Sequence, residues 1–274
     1  MPDWEELLKK AKDDVTSAVD VWSDILPDTF GSRLEYAYVK GSALKEWDSF
    51  IDYVPILSDV DIHIMLTDSE DLFPGTRQGF YSSIDVTIAY EKGFREIRPD
   101  HLHIPRMQVM HINPNLGKFT LPMVSDVHVM IGSPKDGRVP TNEDVRSRDY
   151  VELQELDEYL KDLPRQTFDR VGLDFWALLR RMCWRVSPSP VRLLTQTHNS
   201  PLDVWKWNRT KIVQELRKNE FETIAESYER YYIAGWRLFL SDFTSSEELR
   251  KTIVEGYNVL QGCIREVKQT PVDD

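Results

Sequence analysis

Apolar residues at Trp4, Leu7, Leu8, Ala11, Val15, Ala18, Val19, Trp22, Ile25 and Leu26 follow the three-and-four spacing of a helix that buries one face. After the turn-rich PDTFGS the pattern changes. Glu35–Lys40 and Val60–Leu66 read as strands with a short helix, Ser42–Phe50, between them. Thr76–Phe94 reads as a helix, and Met107–Ile112 and Val124–Ile131 as further strands. The stretch Gly132–Ser147 is polar and carries turn residues, which marks a hinge. Beyond it helical periodicity recurs over Val145–Leu163, Phe168–Val186, Leu202–Lys218, Phe221–Ser241 and Ser246–Lys268, with no strand between. Ser200-Pro201 and the Ser245/Glu248 capping box supply start signals. The pattern predicts an α+β chain: a small mixed sheet with helices over residues 1–140, then an all-α helical bundle over 141–274.

Composition sharpens this picture in three places. A chain of 274 residues suits two modest domains. Its only cysteines, Cys183 and Cys263, sit in helical patterns 80 positions apart, so no disulfide framework or cysteine zinc site is expected and a reducing cytoplasm fits. With no apolar stretch of membrane length and no leader-like N-terminus, a soluble protein without a membrane partner is expected. The net charge of −12 argues against a large nucleic acid as partner. Charge is uneven, however: Arg170 to Arg217 holds nine basic residues against three acidic ones. That segment is either a solvated helix surface or a face for a small polyphosphate, with Arg209 and Lys211 as candidate contacts.

The chemistry concentrates in YVKGSALKEWDSFIDYVPILSDVDIHIML, Tyr38–Leu66. Strand side chains alternate, so Asp59, Asp61 and His63 share one face while Val60, Ile62 and Ile64 take the other. The Cα atoms of the two aspartates then lie roughly 6.6 Å apart. Two carboxylates that close repel unless a cation lies between them, and hard oxygen donors suit Mg²⁺ or Mn²⁺. Upstream, Gly41-Ser42 ends a strand and opens the predicted helix. Glycine admits a phosphate to the backbone, serine adds a hydroxyl, and helix N-terminal amides attract anions.

A Gly-Ser turn, a spacer, then Asp-x-Asp between apolar residues resembles the signature of the polymerase-β-like nucleotidyltransferase superfamily. The order of domains is similar to that of aminoglycoside nucleotidyltransferases and their relatives. The resemblance implies that Gly41 and Ser42 bind the nucleotide's phosphates and that Asp59 and Asp61 bind magnesium. The chain departs from the pattern twice. Sixteen residues separate Ser42 from Asp59, which predicts an extended loop around Asp52–Leu57. The strand that should bring a third carboxylate reads RMQVMHIN, with Gln108 at the expected position. Asp126 is the alternative third acid, followed by Asp174 and Asp203.

The function expected is therefore metal-dependent transfer of a nucleotidyl group, AMP from ATP, to a hydroxyl of a small-molecule acceptor. The alternative is a nucleotide-binding or protein-interaction module on the same fold with catalysis reduced or lost. A glycosyltransferase is a distant third, since a Gly-Ser turn ahead of Asp-x-Asp argues against it. The sequence leaves open whether the protein is a homodimer. Elsewhere the plainer readings lead: His101 and His103 lack partners at zinc spacing, His63 reads as a satisfied core histidine, and Trp205 and Trp207 cannot share one helix face.

Overall fold

Asp3 accepts hydrogen bonds from the Glu5 and Glu6 amides and so caps α1, Trp4–Phe30, a device worth about 1 kcal/mol. The helix ends at Gly31, whose φ of 51° suits a residue without Cβ. Among the described residues four strands follow: β1 (Leu34–Lys40), β2 (Val60–Leu66), β3 (Met107–His111) and β4 (His128–Gly132), with α2 (Arg77–Ile97) between β2 and β3. In this computed structural model residues 3–115, 124–133 and 139–269 are described. The protein is α+β, and its sheet is mixed, in the order β3-β2-β1-β4. β1 pairs antiparallel with β2 and β4, whereas β2 and β3 are parallel.

Period-two alternation gives the sheet two different faces. Ala37, Val39, Val60, Ile62 and Ile64 are all at 0% exposure on one face. α1 packs on β1 and on α2. The other face carries Tyr36, Tyr38 and Met65, clustered with Ile112, Met110, Val127 and Val129, and continues toward Asp61. β4 is shorter than the strand predicted over Val124–Ile131. Val124–Asp126 is a 3₁₀ turn, and the strand begins at His128.

The chain divides into two compact units, Met1–Leu44 with Ser58–Val139, and Lys45–Leu57 with Pro140–Asp274. The second is helical: α3 (Asn142–Thr167), α4 (Asp174–Val186), α5 (Ser189–Thr197), α6 (Pro201–Val204), α7 (Arg209–Lys218), α8 (Glu222–Leu240) and α9 (Ser246–Gln269). The periodicity predicts no helix between Val186 and Leu202, yet α5 forms there, with Pro190 in a first-turn position where its missing N–H costs nothing. The single helix expected over Leu202–Lys218 is two, since Asn208 starts α7 afresh by accepting from the Lys211 amide. Part of the predicted hinge, 134–138, lies outside the described residues, and α3 already begins at Asn142 behind a Thr141/Asp144 capping box. No helix among the described residues is long and apolar enough to cross a membrane.

The spacer Lys45–Leu57 belongs to the helical unit for identifiable reasons. Ile51, Tyr53, Val54 and Leu57 are buried, and Gly235 on α8 lets Leu57 approach to where a Cβ would meet its Cδ1 at 2.3 Å. Asp52 accepts from the amides of Asp48, Ser49 and Thr210 and from the Thr210 hydroxyl. Its charge thus sits at the N-terminus of α7, where the helix dipole favours an anion. Lys45 donates to the carbonyls of Trp205 and Trp207 at 2.8 and 2.7 Å, and burial lowers its pKa to about 8.

Candidate functional site

β1 runs into Gly41, whose φ of +87° is strained for any residue with a side chain; a Cβ there would stand 2.6 Å from Asp61 Oδ2. The register explains this approach, because Lys40 lies opposite Asp61 in the β1–β2 pair. Ser42 then opens one 3₁₀ turn, Ser42–Leu44, in which the Leu44 amide donates to the Gly41 carbonyl at 3.2 Å. The helix predicted over Ser42–Phe50 is absent, since residues from Lys45 onward are drawn into the helical unit. A turn this short supplies no helix N-terminus. What it offers an anion is side-chain-free backbone at Gly41 and the Ser42 hydroxyl.

Asp59 immediately precedes β2 and Asp61 is its second residue; both are half-buried. Arg106 forms an ion pair with Asp59. Val60 pairs with Met107 in the parallel β2–β3 ladder, so the residues just before them, Asp59 and Arg106, stand side by side. Burial and the neighbouring Asp59 charge push the Asp61 pKa up to about 7, against the pull of Lys40 and Arg106. Opposite Asp61 on β3 sits Gln108, whose Oε1 is buried without a hydrogen-bond partner. Further along the same face Tyr38 and His63 are hydrogen-bonded at 3.0 Å. Burial lowers the His63 pKa to about 3, so the ring is neutral and is part of the core.

Two carboxylates and an amide oxygen are hard donors of the kind Mg²⁺ and Mn²⁺ prefer. The orphaned Gln108 Oε1 is an acceptor that a cation held by Asp61 would satisfy. The residues present fit one divalent ion, with Asp59, Asp61 and Gln108 as ligands. Among the described residues no three His, Cys, Asp or Glu side chains gather for a metal. The sequence reading overlooked Arg106. Its position just before β3, as Asp59 stands just before β2, was the available signal.

The raised Asp61 pKa gives a signed expectation. A carboxyl that holds its proton more tightly when folded makes stability fall as pH rises from the unfolded pKa near 4 to the folded value of about 7. The slope is at most about 1.4 kcal/mol per pH unit and vanishes above that window. In chelator-treated buffer the Tm of Asp61→Asn should therefore gain on wild type between pH 4 and pH 7 and then run parallel. Curves parallel throughout would mean an ordinary carboxylate. At the turn, Gly41→Ala should cost about 1–3 kcal/mol in urea unfolding through strain and displacement of Asp61. No cost would place the turn away from the carboxylate.

Asp126 is exposed in its 3₁₀ turn, accepting from Ser125 Oγ at 3.2 Å. It lies at the Gly41 end of the sheet but beyond β1 from Asp61, since His128 pairs with Val39. Asp174 and Asp203 are exposed on α4 and α6 of the helical unit. Lys211 pairs with Glu215 at 2.7 Å. Arg209 is 7% exposed and donates to the Ile51 and Asp52 carbonyls. Arg192 and Arg217 pair with Glu152 and Glu229, and Arg185 lies over the Tyr159 ring. Trp205 donates to Asp149, and Trp207 packs edge-on against His198. His103 binds buried Asp14, which also receives the Leu102 and His103 amides and Arg98, so this loop is a fastening to α1.

Comparisons with protein-family models, with curated proteins and with solved structures find no match.

Proposed function

We propose that the chain is a metal-dependent nucleotidyltransferase of the polymerase-β-like kind, moving AMP from ATP to a hydroxyl of a small-molecule acceptor. The observation that carries this reading is the approach of Gly41 to the Asp61 carboxylate. Through it the Gly-Ser turn and the Asp-x-Asp strand form one surface. A divalent cation bound there supplies charge neutralisation for the triphosphate and the departing pyrophosphate. The chain's own residues do the rest. Gly41 leaves its backbone open to phosphate, Ser42 adds a hydroxyl, and Asp59, Asp61 and Gln108 would hold the cation. Asp126, in the same unit, remains the candidate for the base.

A second reading, a binding module with reduced chemistry, is favoured by two features. Arg106 already neutralises Asp59, and Gln108, which cannot act as a general base, stands where a third acid would serve. Thermal unfolding with each of four nucleoside triphosphates, with and without Mg²⁺, separates the two. A ligand that binds only the folded chain stabilises it by about 2.7 kcal/mol at a hundredfold excess over Kd. The enzyme reading expects a Tm rise that requires both triphosphate and metal. No metal-dependent shift with any triphosphate rejects it in favour of the module.

A further inference from the structure

α2 has two opposed faces. At 100° per residue Gly79, Tyr90 and Phe94 fall on one side, all buried. There Tyr90 meets Trp22 of α1 at 5.6 Å between ring centroids and donates to the Pro105 carbonyl. On the other side Phe80, Tyr81, Ile84 and Ile88 are 62, 48, 40 and 59% exposed. Isolated exposed apolar residues are ordinary. These four instead form a continuous stripe within one 100° sector, about 12 Å long at 1.5 Å per residue. Arg77 and Glu91, seven residues either side of Ile84, lie in the same sector and are exposed, as is Arg95, which pairs with Glu91 at 3.0 Å within the helix. Asp85 falls to its flank.

We propose that this stripe is a self-association surface on which α2 of a second copy lies antiparallel, across a two-fold axis at Ile84. In an isologous contact the same patch serves both copies. The antiparallel arrangement sets Phe80 against Ile88 of the second copy and Ile84 against its own counterpart. Charge selects the orientation. A parallel pair would oppose Arg77 to Arg77, whereas the antiparallel pair brings Arg77 at each end to the Glu91 carboxylate, which Arg95 already holds from the other side. The stripe is thus complementary to itself, with an apolar centre and charged rims of the kind interfaces show. The proposal does not depend on the nucleotidyl-transfer reading.

Sedimentation equilibrium of the full chain, followed to about 100 µM, tests it. Wild type should approach twice 32.1 kDa. Ile84→Glu should weaken dimerisation at least tenfold while leaving far-UV circular dichroism unchanged, since the side chain is exposed in the single chain. Arg77→Glu and Glu91→Arg should each weaken it, and the double reversal should recover most of the loss. A wild-type monomer throughout the range overturns the proposal. So does a dimer that persists in Ile84→Glu, or a double reversal no tighter than either single change.

Discussion

Replacing Arg209 by leucine is expected to lower the stability of the helical unit by about 2–4 kcal/mol, since it leaves two buried carbonyls without their donor. The guanidinium donates through one nitrogen to the carbonyls of Ile51 and Asp52, both at 3.0 Å, and lies 4.1 Å above the Tyr232 ring. Leucine would leave both carbonyls without that donor and remove the ring contact. Lysine is not a conservative substitute either, because a compact ammonium cannot both reach two carbonyls and stack on an aromatic face. Urea unfolding monitored by tryptophan fluorescence measures the effect through the midpoint and slope. A variant of unchanged stability that lost triphosphate binding would return Arg209 to the ligand role the sequence suggested.

The second large effect concerns the paired aspartates. Asp59→Asn combined with Asp61→Asn should abolish the metal-dependent part of any triphosphate-induced Tm rise. The apo protein should stay folded and, at pH 8, be no less stable than wild type. Two terms oppose each other there. Asparagine at 61 removes a carboxylate that burial and Asp59 disfavour, whereas asparagine at 59 weakens the Arg106 ion pair. That pair has one side chain 35% and the other 18% exposed, so solvent screens it and its loss is modest. Calorimetry of Mg²⁺ binding supplies the check. An unchanged metal response in the double variant would remove Asp59 and Asp61 from the site, whatever the nucleotide results.

Much of this site was legible because local pattern determined it. Alternation along β2 assigns Asp59, Asp61 and His63 to one face without knowledge of any other strand, and the glycine after β1 marks a backbone that side chains would obstruct. What the sequence concealed depends on pairing at a distance. Arg106 meets Asp59 only because β3 runs parallel to β2 in one register, and nothing local to RMQVMHIN states that register. Gln108 was flagged by type, yet its orphaned carbonyl emerges only once Asp61 is opposite it. The short helix after Ser42 failed for a related reason. Trp47 stacks on Tyr53 within the loop, while the Phe50 carbonyl accepts from Trp236 and Asp52 receives Thr210, partners on helices that begin more than 150 residues later. Arg209, a candidate polyphosphate contact by its place in a basic segment, is buried and donates to two carbonyls while lying over a ring, a placement that the run of basic residues does not state.

The allocation of Lys45–Leu57 to the helical unit also has a consequence during synthesis. The apolar residues Ile51, Tyr53, Val54 and Leu57 emerge between the first two strands, but α8, which carries Gly235 and Trp236, is still untranslated. At about 5–20 residues per second the nascent chain carries this loop without its partners for about ten to thirty seconds. For that interval its apolar residues lack the surfaces that bury them in the folded unit. A fragment ending near Val139 would hold it in that state permanently, whereas one beginning at Pro140 would lack the residues that fill its own interior.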